Sequence, residues 1–356
     1  MRTNPIPAGA AWATLPTVPY KGKQDDIFFV DADTGWYGNG AGKIYKTGDG
    51  GASWVEVADK PGTYFRALGF LDAMHGFAGN IAPGYFPNVT DENALYETRD
   101  GGATWAAVAG LPLPKGAGIC AIDIVKDRFV NAGVLDERTI VHAGGRVGGP
   151  ALLLRSVDGG ATWTAIDLGA QAAMLLDVKF FDASNGIVVA GSDREVERSH
   201  ARVLRTTDGG ASWSIVYESP RPYEIGWKAS FPTRDTGYVT VQSYDPDASR
   251  TARFVAKTTN GGKSWREQKL VDDAKQNEYG VAFVNEDVGW VGASKSGFAT
   301  VDGGRTWTPA ALGRAVNKLR VVRTPDGGLV VYAIGVDVQK LDARLPASTA
   351  SAGSRP

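Results

Sequence analysis

One cysteine, three histidines and three methionines are spread over 356 residues. A single thiol, Cys120, excludes an internal disulfide and any multi-cysteine metal site, and its apolar setting GICAIDIV makes it a small buried hydrophobe. His75, His142 and His200 lie far apart in no ligand motif, so neither a metal nor any other cofactor is expected. There is no G-x-G-x-x-G opening a helix and no haem-attachment motif, which removes the common redox enzymes. No apolar run reaches membrane-spanning length, and the stretch from Met1 to Ala10 lacks the apolar core of a signal peptide. Membrane insertion is therefore not expected, nor is an export signal in the chain as given. With 38 Lys+Arg against 39 Asp+Glu the net charge is -1, so no global basic field recruits nucleic acid. Long amphipathic helical patterns are also missing.

What is abundant is turn and anchor chemistry: 46 Gly, 18 Pro and 10 Trp. One eight-residue phrase occurs six times: TGDGGASW ending at Trp54, TRDGGATW at Trp105, SVDGGATW at Trp163, TTDGGASW at Trp213, TTNGGKSW at Trp265 and TVDGGRTW at Trp307. Subtracting successive tryptophan numbers gives intervals of 51, 58, 50, 52 and 42 residues, the spacing of a propeller or solenoid array. Paired glycines such as Gly50 and Gly51 supply positive φ, and Asp49 can accept bonds from nearby backbone N-H groups, so the phrase is a tight turn between strands. Trp54 then starts the next strand as a large apolar anchor. The phrase resembles the Asp-box, or BNR repeat, and Asp49, Asp100, Asp158, Asp208, Asn260 and Asp302 are its turn residues. Asn260 keeps the turn without the charge, which argues against an obligatory metal there.

Residues 26–57 contain four strand-like runs separated by DADTG, a short loop and the box, the order of one four-stranded blade. The same order recurs down the chain, although the third copy, IDIVKDRFVNAGV, lacks the usual glycine turn. After the sixth box only three strand-like runs remain, while AAWATLP near the N-terminus reads like a fourth strand with Trp12 in the anchor position. The expected fold is all-β: a seven-bladed propeller over residues 8–345 whose N-terminal strand completes the C-terminal blade and removes two exposed edges. Residues 346–356, PASTASAGSRP, are expected to be disordered.

This repeat string is similar to the photosystem II stability/assembly factor-like propellers over residues 8–345. The resemblance implies a binding or assembly scaffold without catalysis, and an extracytoplasmic setting, periplasmic or secreted. Asp-box propellers also include sialidases and xyloglucanase-type enzymes, so a glycoside hydrolase is the alternative and a glycan the alternative partner. Arg221, Tyr223 and Glu224 offer sialidase-like residue types in one segment, but the Arg-Ile-Pro signature of that family is absent.

The turns between first and second strands share a face with the boxes, and the opposite face carries four enlarged loops at 81–94, 142–151, 191–202 and 243–253. Long loops on a repetitive scaffold point to function. They bring together Tyr85, Phe86, Arg146, Arg194, Arg198, His200, Arg202, Tyr244, Arg250 and Arg253, and the inter-blade segment SPRPYEIGWK adds Arg221, Tyr223, Trp227 and Lys228. Aromatic faces beside guanidinium forks suit a protein or peptide partner. Asp245 and Asp247 fall short of a calcium loop, and no catalytic residue is assigned.

Overall fold

Alternation of apolar and polar residues, interrupted by glycine turns, gives strands and almost nothing else. The computed structural model describes residues 6, 10–22, 24–131, 134–325 and 327–343; the expected tail at 346–356 and the outermost ends of the 8–345 propeller lie outside them. Seven antiparallel four-stranded sheets form the blades, each laid down as a meander from the channel outwards. The first strands are Gln24–Phe29, Phe65–Phe70, Ala121–Asn131, Met174–Phe180, Glu224–Ser230, Glu278–Phe283 and Lys318–Arg323. Each touches the first strand of the next blade, and the seventh touches the first, so the ring is closed. Closure uses the N-terminus: Trp12–Thr14 pairs antiparallel with Val338–Ala343, Trp12 opposite Leu341, and completes blade 7. Trp12 also meets Trp290 of blade 6 edge-on at 5.7 Å. The seam thus joins two sheet edges that would otherwise stand open.

The repeated phrase builds six copies of one turn. All twelve of its glycines have φ between 68° and 98°, a region that side chains with a Cβ avoid. In blade 1 the Asp49 carboxylate accepts from the Ser53 amide (2.9 Å), the Ser53 hydroxyl (2.6 Å) and Thr47 Oγ1 (2.8 Å), and the Gly51 amide donates to Thr47 Oγ1. The pattern repeats at Asp100, Asp158, Asp208 and Asp302. At Asn260 one bond reverses, because its Nδ2 donates to Ser264 Oγ (2.9 Å). The hydrogen bonds from Ser53 and its counterparts hold the carboxyls of Asp49, Asp100, Asp158 and Asp208 down to about 2.

Each box is also the socket for its neighbour. Tyr332 of blade 7 stacks on Phe29 of blade 1 at 3.9 Å and donates to the Gly50 carbonyl, and Lys340 donates to that carbonyl too. Trp36 on Phe70 with Gly101, and Tyr238 on Phe283 with Gly303, repeat the device between later blades. In blade 3 the aromatic is replaced by His142, which stacks on Phe180 at 3.6 Å; burial lowers its imidazole to about 3 and keeps it neutral. The anchoring tryptophans are less enclosed than the sequence implies: Trp105 is buried, whereas Trp54, Trp163, Trp213, Trp265 and Trp307 are half-buried. They stand on the rim with one edge against a phenylalanine, as Trp213 does against Phe180 at 6.1 Å.

One departure is explained and one expectation needs correction. Blade 3 lacks the glycine turn because its first hairpin is longer, pairing Ala121–Asn131 with Val134–Gly144 through eleven residues each. The first box glycine of the other blades donates to a turn carbonyl, such as Gly50 to Asp33, but Gly159 reaches Thr139 in mid-strand. The hairpin therefore overhangs the box face, braced by Arg128–Glu137 (2.8 Å) and Arg138–Asp127 (3.0 Å). Strand pairing also shortens three of the four enlarged loops, to 145–151, 192–200 and 244–251.

Candidate functional site

First strands face the channel, and several carry charges inside otherwise apolar runs: QDDIFF, FRALGF, MLLDVKF and KLRVVR. At the long-loop end these residues form a plug. Asp25 of blade 1 is paired with the Arg66 guanidinium of blade 2, and both side chains are buried. Arg66 lies 5.0 Å over the ring of Trp227 from blade 5. The Trp227 Nε1 donates to Asn317 Oδ1 (3.1 Å), and Asn317 Nδ2 donates back to the Asp25 carbonyl (2.9 Å). Burial works against the charge on Arg66, but Asp25 outweighs it and the guanidinium stays ionised above its ordinary range. Four blades are thereby tied across the channel by one network.

Above this plug the long loops enclose a cavity of about 160 Å³ lined by Arg66, Ile81, Tyr85, Phe86, Val147, Trp227 and Tyr244. Its aromatic wall is ordered by packing: Phe86 stacks on Tyr64 at 5.0 Å, and Tyr85 stands edge-on to Phe86 at 4.8 Å. Tyr85 and Tyr244 nevertheless remain 44% and 41% exposed at the rim. Tyr244 donates its hydroxyl to Gln242 (2.7 Å), which fixes the ring's direction. Of the residues singled out from sequence, Tyr85, Phe86, Trp227 and Tyr244 meet here.

The arginines have other tasks. Arg146 donates from Nη1 to the carbonyls of Ile81, Ala82 and Pro83 and from Nε to Gly149, tying the first long loop to blade 3. Arg253 is buried and donates to the carbonyls of Gln276, Ala274 and Arg250. Arg202 pairs with Glu218 and donates to the Gln171 carbonyl. Arg198 pairs with Asp193, and Arg250 with Asp245 and Asp247. The His200 ring lies 2.7 Å from the Ser219 carbonyl through Nδ1. Of the arginines singled out from sequence, Arg194 stands exposed against a groove, beside Pro112, Pro114 and Pro150.

The sialidase-like segment is likewise committed to structure. Arg221 is held by Glu224 (2.6 Å) and, through two bonds of 2.7 and 3.0 Å, by Glu267, with its guanidinium 4.1 Å over Phe254. Tyr223 sits at φ 63°, and its carbonyl accepts from the Tyr244 amide. Its neighbours leave the guanidinium no open fork for a substrate carboxylate. Among the described residues no three His, Cys, Asp or Glu side chains cluster as a metal site requires, and no helix is long and apolar enough to cross a membrane.

Apart from Trp227 and Lys228 the channel residues were missed in the sequence, although the charges within apolar first strands were their visible sign. A second cavity, of about 490 Å³, opens below the plug on the box face.

No protein-family model matches the chain, and no curated protein matches it. Solved structures do. YCF48 bound to D1 peptide superposes with a TM-score of 0.62 at 15% identity, covering 97% of each chain. YCF48 from Cyanidioschyzon merolae gives 0.62 at 16% identity, covering 94% of this chain and 99% of that one. The GH74 enzyme of Niastella koreensis gives 0.51 at 16% identity, covering 88% of this chain and 62% of that one. At these identities the likeness concerns the fold, and at that level it bears out the resemblance to the photosystem II assembly factor-like propellers.

Proposed function

We propose that this propeller is a non-catalytic docking scaffold, which holds an extended protein or peptide segment across the long-loop mouth of its channel. The observation that carries this reading is the aromatic cavity over the Arg66–Trp227 plug. Its volume of about 160 Å³ suits one ring-sized guest, since a cavity of about 150 Å³ takes up benzene. Its walls come from blades 2, 3 and 5, so a segment anchored there would cross several loops. Rigid aromatics around a buried guanidinium are the composition of an interface hot spot. By analogy, a propeller of this fold, YCF48, has been solved with a D1 peptide. A glycosidase would instead need two carboxylates flanking a sugar with one free to act as acid. Asp25, the carboxylate bonded to the cavity's own Arg66, is locked in that pair.

The test is selection of binding peptides from a random phage-displayed library on the immobilised propeller. Peptides selected in this way should lose about tenfold or more in affinity for a Tyr85→Ala, Tyr244→Ala double variant whose melting temperature is unchanged. Undiminished binding to that variant would place the binding surface elsewhere. Hydrolysis of a sialoside or xyloglucan, abolished by a single carboxylate substitution, would replace the reading with the glycosidase one.

A further inference from the structure

The box-face end of the channel has no part in peptide docking above the plug, yet it concentrates charge in a way the rest of the molecule does not. The chain as a whole carries a net charge of -1. The 490 Å³ cavity, however, is lined by Lys179, Lys318, Arg320 and Arg323 and by Asp123 and Asp177, with Asp26 bonded to Arg320 and Lys228 near Asp177 behind the wall. Four cations thus line the recess against two carboxylates, an excess of two positive charges in its wall.

The pairing leaves donors over. Lys179 is 2.9 Å from Asp123, and that carboxylate is also bonded by the Phe180 amide (2.7 Å). Asp177 accepts the Ala229 amide (2.9 Å) and is shared by Lys318 at 3.5 Å and Lys228 at 3.9 Å. Lys228 turns its donors to the carbonyls of Leu176 (2.8 Å) and Cys120 (3.4 Å), so it is Lys318, 3.5 Å from the shared carboxylate, whose ammonium keeps donors to spare. Arg320 grips Asp26 and the Ile27 carbonyl, and Arg323 gives one nitrogen to the Val284 carbonyl (2.6 Å). The Ser230 oxygen accepts the Phe283 amide, which leaves its hydroxyl hydrogen to donate. Burial, opposed by Asp177 and reinforced by Arg320, lowers the Lys318 ammonium to about 8.

We infer that this recess is a binding site for a compact multivalent oxyanion, a polycarboxylate or a phosphate ester, held by Lys318, Arg320 and Arg323 with Ser230 and Lys179 at its edge. The guest would supply the missing negative charge, and the recess is within the size range of small-ligand sites. Guanidinium forks and ammonium groups together match either anion. The site depends on the ring being closed, because Lys318, Arg320 and Arg323 belong to the blade that the N-terminal strand completes.

Isothermal titration of the full chain with citrate and, separately, with pyrophosphate tests this. Saturable one-to-one binding of either supports the site. Preference for citrate assigns a polycarboxylate, and preference for pyrophosphate assigns a phosphate ester. Two variants locate it: Arg323→Gln, at the exposed mouth, and Lys318→Met, inside the recess. Each should weaken binding about tenfold or more while a peptide selected on the opposite face binds as before. Absence of saturable binding by both anions, or affinities unchanged in both folded variants, would overturn the inference.

Discussion

The two faces of the ring are made by opposite rules. On the box face one turn is repeated six times with nearly the same hydrogen bonds, and its carbonyls receive the neighbouring blade's aromatic or basic side chain. On the other face no loop copies another, and aromatics from blades 2 and 5 converge above a buried ion pair. Repetition therefore marks the part that joins blades. Departure from repetition marks the part where a partner is proposed to dock.

The largest test of the joining rule lies at the seam. Deleting residues 1–20 removes the strand Trp12–Thr14 and exposes the edges of blades that now meet there. The truncated protein should aggregate or unfold at a much lower temperature, and an unchanged melting temperature would show that closure is dispensable. Next comes a single box anchor. Trp213→Ala removes the edge contact with Phe180 and the Nε1 bond to Gly210 (3.1 Å), and should cost about 2–4 kcal/mol in denaturant unfolding, less than a fully enclosed tryptophan.

The faces should also part company in their response to pH. Burial raises the Glu278 carboxyl to about 8, and this group caps the strands that flank the 244–251 loop by accepting from the Ser243 and Phe254 amides. Its folded pKa lies above the unfolded one, so its contribution is present below about 4.5 and is lost as pH rises through about 8. Box carboxyls held near 2 act in the other sense: their contribution is present above the ordinary aspartate range and is lost as pH falls through about 2. Unfolding free energy should thus fall between pH 5 and 8, and Glu278→Gln should flatten that slope. A slope unaltered in the variant would remove Glu278 from the account. The smallest effect belongs to Thr206→Val, which strips the acceptor from the Gly210 amide (2.9 Å) and should cost about 1–2 kcal/mol, measured by equilibrium unfolding, with peptide binding retained.

Much of this division is legible in the sequence, and the reason is periodicity. Six boxes, their paired glycines and the orphan strand around Trp12 gave blade number and closure, since each is a local signal repeated in register. The aromatic half of the mouth was legible as well, because Tyr85, Phe86 and Tyr244 sit in loops too long for a bare scaffold. What could not be read is pairing. Arg146, Arg202, Arg221 and Arg253 looked like recognition groups, and only the fold shows carbonyls and carboxylates of neighbouring segments filling their donors. Asp25, Arg66 and Lys318 were hidden for the converse reason. A charge inside an apolar strand acquires meaning only when seven strands are turned to face one channel.

Hydrogen–deuterium exchange of the propeller, with and without a peptide selected on it, measures the division directly. Added protection should fall on residues 81–94 and 244–251 and on the first strand around Trp227, while the turns at Asp49, Asp100, Asp158, Asp208, Asn260 and Asp302 exchange as before. Protection concentrated on the box turns, with the long loops unchanged, would contradict the assignment of function to the irregular face.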